Sequence, residues 1–266
     1  MINRALYRRE MKRSLKLLLI FAAIITLYVS IIIGMYNPEM MATLDSIVEA
    51  MPEMMAAVGM RAGATSLLGF MISYLYGFIL LVFPMLFCIL RGNGLVAGYI
   101  DRGSMTALVA APVKRRSIAF TQMMVLLSGI FLLLAYITAL ELAVAQSSFP
   151  GELVLSELLR LNAGLLCLHC FIGGICFLCS CMFSDTKYSV GFGAGIPALM
   201  YVLQMLANAG EKAEGLRYFS LFTLFQPAEI AAGDPHALLG AAVLLLGSVA
   251  LFAAGILAFC KKDLHI

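Results

Sequence analysis

The sequence predicts an all-α integral membrane protein with six transmembrane helices, and three observations carry that reading. Hydrophobic residues make up 62% of the chain and charged ones 12%, against roughly 45–50% and about 25% in soluble domains. Six apolar windows are long enough to cross about 30 Å of hydrocarbon. Fourteen of the eighteen Lys and Arg residues fall on one side of those windows. An open strand would leave backbone groups unpaired in lipid, so each crossing is expected to be a helix.

The windows run Leu15–Ile33, Leu67–Leu90, Ile118–Leu140, Ala163–Phe183, Val190–Ala209 and Ala237–Phe259. The first follows a basic stretch, as a secretory signal core does. Its apolar run is longer than such a core and no small-x-small site follows, which predicts a retained span. The fifth has the weakest pattern, opening on GFGAGIP with Pro197 inside it. Arg4, Arg8, Arg9, Lys12, Arg13 and Lys16 precede the first span. Arg91, Arg102, Lys114, Arg115 and Arg116 separate the second and third. Lys187 separates the fourth and fifth, and Lys261 and Lys262 follow the sixth. The positive-inside rule makes that side cytoplasmic. A multi-pass plasma-membrane protein with both termini in the cytoplasm is expected. With 266 residues and no long polar segment, residues 1–266 form one bundle and no separate soluble domain.

Residues 2–16 form an N-terminal amphipathic interface helix in this reading. Leu6, Tyr7, Met11 and Leu15 share one face and basic residues cover much of the rest, a pattern suited to an anionic inner leaflet. The helix is a topology anchor, or it also docks a cytoplasmic partner, with Glu10 as the acid available to meet an Arg or Lys. On the outer side Asn37-Pro38-Glu39 and Met51-Pro52-Glu53 are two helix starts with Pro at the first helical position. They predict short outer interfacial helices. Met51 and Met54 have a spacing that suits Cu(I), and a greasy face pressed on lipid explains them equally. No metal site is assigned. The outer loop of residues 210–236 carries YFSLFTLF, which predicts shallow re-entry, as an aromatic belt or as the lining of an exit for amphiphilic cargo.

Almost no ionisable group lies at depth. Glu141 falls near the outer end of the third span and is expected to reach the interface. Proton-driven carriers place carboxylates or His mid-membrane, so the pattern argues against one, and against a charge-selective channel. The fourth span holds Cys167, His169, Cys170, Cys176, Cys179 and Cys181. Cys packs well as a small apolar residue, and His169 is expected to bond a neighbouring helix. Gly173, Gly174, Gly191, Gly193, Gly195, Gly240, Gly247 and Gly255 supply small faces for close helix approach, one of them a candidate dimer seam. Neither G-x-x-x-x-G-K-[ST] nor H-E-x-x-H nor G-x-S-x-G occurs. The chain is therefore not expected to be an enzyme, and no catalytic or cofactor-binding residue is assigned to it.

The stretch Arg91 to Gln122 is the most basic internal one. Gly103 and Ser104 form a break, Ser a good N-cap, MTALVAA a short helix, and Pro112 a stop. A short helix held under the membrane between two spans is a docking lever. With Asp101-Arg102-Gly103-Ser104-Met105, Pro112-Val113-Lys114-Arg115 and Thr121-Gln122, this stretch resembles the cytoplasmic coupling segment of ABC-2 type transporter permeases. These are the six-helix subunits of the type V exporter fold. MPEMMAAVG before the second span and LRYFSLFTLFQPAEI before the sixth extend the resemblance over most of the chain. Tyr99 stands where the family often has a second acid, and Ser104 where Thr is usual.

The resemblance implies the permease subunit of an ATP-driven exporter of an amphiphile such as a peptide, lipid or drug. Two copies of a separate ABC ATPase would carry ATP and Mg, and a second permease copy would form a homodimer; no nucleic acid is expected. The ATPase-coupling residues it implies are Glu10, Asp101, Arg102, Gly103, Ser104, Met105, Pro112 and Arg115. Two alternatives remain: a sensor or immunity subunit that docks an ATPase without moving cargo, and a partner-independent secondary carrier.

Overall fold

The computed structural model describes residues 2–60, 63, 66–110 and 113–262. Among them the chain is helical, with no strand. Among the described residues six segments are long and apolar enough to cross a membrane: Arg4–Gly34, Ile79–Asp101, Arg115–Ser148, Leu155–Met182, Thr186–Ala209 and Pro235–Lys261.

Helix α1 (Arg4–Gly34) starts on Asn3, whose side chain accepts from the Leu6 amide. It runs unbroken for 31 residues, about 46 Å. The expected separate interface helix over residues 2–16 is therefore the first half of a single rod. One stripe explains the continuity. Leu6, Glu10, Ser14, Leu18, Phe21, Ile25, Val29 and Ile33 recur three or four apart and are all buried, so one face serves the whole length. Leu15, expected on that face, is exposed, and so are the basic residues of the first half.

On the far side, α2 (Pro38–Ala50) and α3 (Pro52–Ala57) begin at their prolines. The second span is interrupted. Ser66 caps α4 (Leu67–Met71), Ile72–Tyr76 form a π-turn, and α5 (Ile79–Gly92) restarts beyond Gly77 and Phe78. At the break a Cβ on Gly77 would lie 2.5 Å from the Val58 carbonyl oxygen, so the contact there requires glycine. The backbone after α3 thus presses directly on the second span. From α5 the chain passes into α6 (Ala97–Asp101) and α7 (Met105–Ala110).

Helix α8 (Arg115–Ser148) packs along α1 and α9, and α9 (Leu155–Met182) packs along α12 (Pro235–Lys261). Helix α10 (Thr186–Ala209) is continuous through Pro197, with Ser189, Gly193, Pro197 and Tyr201 as its buried stripe. A Cβ on Gly173 would meet Ile130 at 2.8 Å, and one on Gly255 would meet Phe177 at 2.9 Å. These glycines therefore serve close packing within the subunit. Two 3₁₀ stretches, Glu211–Phe219 and Leu221–Leu224, and α11 (Pro227–Ala232) cover the end opposite the termini.

Helices α5 and α9 occupy the centre, whereas α1, α10 and α12 expose most of their apolar surface, including Leu19, Leu199 and Leu246. The Asn3 amide donates to Thr121 Oγ1 (3.0 Å) and Arg115 to the Lys262 carbonyl (3.0 Å). Asn3 and Lys262, near the two limits of the described residues, therefore lie at one end of the bundle.

Candidate functional site

At that terminal end the turn after α5 is fixed by buried polar contacts. Asn93 Nδ2 donates to the Ile89 carbonyl (2.9 Å), and its Oδ1 accepts from Ser189 Oγ (2.8 Å). Ser180 Oγ donates to the Asn93 carbonyl and accepts from the amides of Val96 and Ala97, all at 3.0–3.1 Å. A Cβ on Gly193 would come within 2.6 Å of Asn93 Oδ1 and would displace that side chain from its present bonds.

The second anchor joins α1 to α5. Arg91 Nη2 donates to Glu10 Oε2 (2.5 Å) and to the Glu10 carbonyl (3.0 Å), and Arg91 Nε to Ser14 Oγ (2.5 Å). The Tyr99 hydroxyl donates to Glu10 Oε1. Glu10 is 1% exposed and Arg91 5%. A buried charge is tolerated only when paired and hydrogen-bonded, and both carboxylate oxygens are occupied. This corrects one expectation. Glu10 is not available to a partner because it sits on the buried stripe of α1, where its charge meets that of Arg91. Tyr99 is spent on the same contact.

Beyond this root the chain is open. Asp101, Arg102, Gly103 and Ser104 are exposed, as are Thr106, Ala107 and Ala110 on α7. Gly103 has φ +68° with empty space where a Cβ would stand; its left-handed backbone, rather than room, favours glycine. The Ser104 hydroxyl, expected to cap α7, donates back to the Tyr99 carbonyl (3.2 Å), while Thr106 Oγ1 donates to the Gly103 carbonyl (2.6 Å). Arg102 Nε folds onto the Gly98 carbonyl (2.7 Å). Met105 is 2% exposed and plants the foot of α7 in the core.

Arg115 is a strut here. Besides its bond to the Lys262 carbonyl it is half-buried, and Lys262 Nζ in turn donates to the Cys181 and Met182 carbonyls at 3.3 and 3.0 Å. Those are free carbonyls at the end of α9, which a cation satisfies well. Partial burial pulls the Lys262 ammonium below the ordinary lysine value. Pro112 lies outside the described residues.

A second polar cluster lies in the other half of the bundle, and sequence reasoning missed it. Glu141 is fully buried rather than at the interface. Its Oε2 accepts from Asn162 Nδ2 (2.8 Å) and from the Tyr76 hydroxyl (3.0 Å), which is also 3.0 Å from Asn162 Oδ1. Glu141 Oε1 has no hydrogen-bond partner among the described residues. Tyr76 also lines a cavity of about 600 Å³ together with Ile72, Tyr201, Gln204, Asn208 and Phe222. The signals were the isolated polar residues Glu141 and Asn162 within apolar helices.

The fourth-span cysteines pack as small residues. Cys176 Sγ donates to the Gly193 carbonyl (3.2 Å), and Cys88 on α5 donates its Sγ–H to the His169 carbonyl (3.6 Å). The ring nitrogens of His169 face carbonyls, Nδ1 that of Leu165 (2.9 Å) and Nε2 that of Leu81 on the neighbouring α5 (3.2 Å). Among the described residues no three His, Cys, Asp or Glu side chains gather as a metal site. No family model matches this chain, and no curated protein matches its sequence.

Proposed function

We propose that this chain is the permease subunit of a two-component exporter, taking mechanical work from a separate ABC ATPase at the elbow Asp101–Ala110 and moving an amphiphile outward. One observation carries the reading: an exposed elbow stands on a root that buried contacts tie to α1, α9 and α10. A push on α7 meets Met105 in the core and Tyr99 held by Glu10, so it is passed to the spans rather than absorbed in a slack loop. Such rigid displacement is a known form of conformational switching. The basic residues around this end make it cytoplasmic by the positive-inside rule, as expected in a plasma membrane. ATP and Mg belong to the ATPase. Two ATPases and two permease copies, a homodimer, form the working unit.

In this reading the partner's contacts are Asp101, Arg102, Gly103 and Ser104 with the outer side of α7. Glu10, Met105 and Arg115 position them. The test is ATP hydrolysis by co-expressed candidate ATPases purified with the chain in nanodiscs. Gly103→Val is expected to abolish stimulation while the protein still inserts. Undiminished stimulation removes the elbow from the coupling path.

A second reading, a carrier needing no partner, draws on the buried Glu141 and its unpaired oxygen. Gradient-driven flux in liposomes holding this chain alone supports it, and absence of flux removes it.

A further inference from the structure

We infer that the cavity beside Tyr76 binds the uncharged polar head of an amphiphile, one rich in hydroxyl or amide groups, with the apolar body against Leu81 and Phe222. As a statement about cargo this rests on the permease reading above. As a statement about binding it concerns the chain alone.

The volume, about 600 Å³, lies within the usual range of small-molecule sites. The walls are built rather than loose. On one side the π-turn holds Tyr76, whose hydroxyl is fixed by Glu141 and Asn162. The Tyr201 hydroxyl donates to the Gly77 carbonyl (3.2 Å), and its ring meets Phe222 edge-on at 5.2 Å between centroids. On the other side Ser220 Oγ donates to the Met200 carbonyl (2.9 Å), tying the 3₁₀ stretch to α10.

The chemistry of the rim selects the head. Gln204 Oε1 accepts from Thr223 Oγ1 (2.7 Å), and Gln204 Nε2 donates to Asn208 Oδ1 (3.1 Å). A carboxamide nitrogen carries two N–H groups, so hydrogen-bonding capacity remains on both amides, and Gln226 adds a third at the lining. Among the described lining residues the charged ones, Arg217 and Glu229, are one of each sign. Donors and acceptors therefore abound, and the formal charges of the described lining residues cancel.

The chain contains no tryptophan, which makes a clean test possible. Phe222→Trp places a single fluorophore in the cavity, and Phe131→Trp places one on an exposed stretch of α8 as a lipid reference. Each is titrated in nanodiscs with four amphiphiles of equal alkyl length: dodecyl maltoside, dodecylphosphocholine, dodecyltrimethylammonium and dodecanoate. The expected result is a saturable shift at position 222, with half-saturation by the maltoside about tenfold lower than by the charged heads. At position 131 only unsaturating partition, alike for all four, is expected. Gln204→Leu with Asn208→Leu, checked for native helicity, should raise the maltoside half-saturation about tenfold. Phe225→Trp repeats the measurement if Phe222→Trp disturbs the fold. Equal responses at 222 and 131, equal affinity for all heads, or unchanged binding in the double variant overturns the inference. Loss of ATPase coupling with binding intact overturns only the permease reading.

Discussion

Glu10 and Arg91, 81 positions apart, meet in a sealed ion pair at 2.5 Å that joins the first half of α1 to the end of α5. Neither charge has water as an alternative partner, so each depends on the other. Through Tyr99 the same carboxylate also reaches the root of the exposed elbow. The pair is thus the link between the long outer rod and the segment proposed to receive a push.

Removing one member leaves the other charge buried and unpaired. Arg91→Ala is expected to cost about 3–5 kcal/mol, read as a lower unfolding midpoint in nanodiscs. Glu10→Met combined with Arg91→Met should recover part of the loss. Recovery stays incomplete because the Tyr99 hydroxyl loses its acceptor and Ser14 Oγ loses the Arg91 donor, keeping only its bond to the residue 10 carbonyl.

At Gly103 the requirement is conformational. A β-branched residue at φ +68° carries strain of about 1–3 kcal/mol, whereas Asn enters that region readily. Gly103→Asn should therefore retain most ATPase stimulation where Gly103→Val loses it. Equal loss in both variants would mean that the missing side chain, rather than the backbone, matters to the partner.

Glu141 separates an acceptor role from a merely space-filling one. Glu141→Leu leaves the Tyr76 hydroxyl with Asn162 Oδ1 as its acceptor and strands the Asn162 Nδ2 donor, at about 1–3 kcal/mol for the unmet group. Glu141→Gln keeps an acceptor oxygen and should cost clearly less. Thermal unfolding of the two variants side by side checks the order.

The contact at Gly77 is against backbone, which cannot swing aside. Gly77→Ala would set a Cβ 2.5 Å from the Val58 carbonyl oxygen, an overpacking cost of about 1–3 kcal/mol. A lower unfolding midpoint and a distorted cavity signal at position 222 are expected together.

The spans were legible because hydropathy over long windows depends on lipid thickness and little else. What escaped depended on partners distant in the sequence. Pro52 announced the start of α3, but nothing local told that Gly77 would receive the backbone of Val58 beside a break in the second span. The basic residues of the N-terminal segment suggested a separate surface helix. The spacing Leu6, Glu10, Ser14, Leu18 already placed Glu10 on the buried side, had the apolar stripe been extended backward from the span. Arg91 counted correctly toward the charge asymmetry, yet its charge is spent inward. The elbow itself was readable at Gly103, since a turn there needs little beyond the local chain. Ser104 was not, because its hydroxyl turned back to Tyr99 rather than forward.

The most direct test of the account asks what touches the elbow. Ala107 is exposed on α7, and a benzoylphenylalanine introduced there can be photo-crosslinked in cells expressing the candidate ATPase. The account predicts one covalent adduct between this chain and the ATPase, lost when the same group is placed at Phe131 on the exposed face of α8. Adducts with lipid alone at position 107, or labelling of that position by an impermeant reagent added outside the cell, would contradict it.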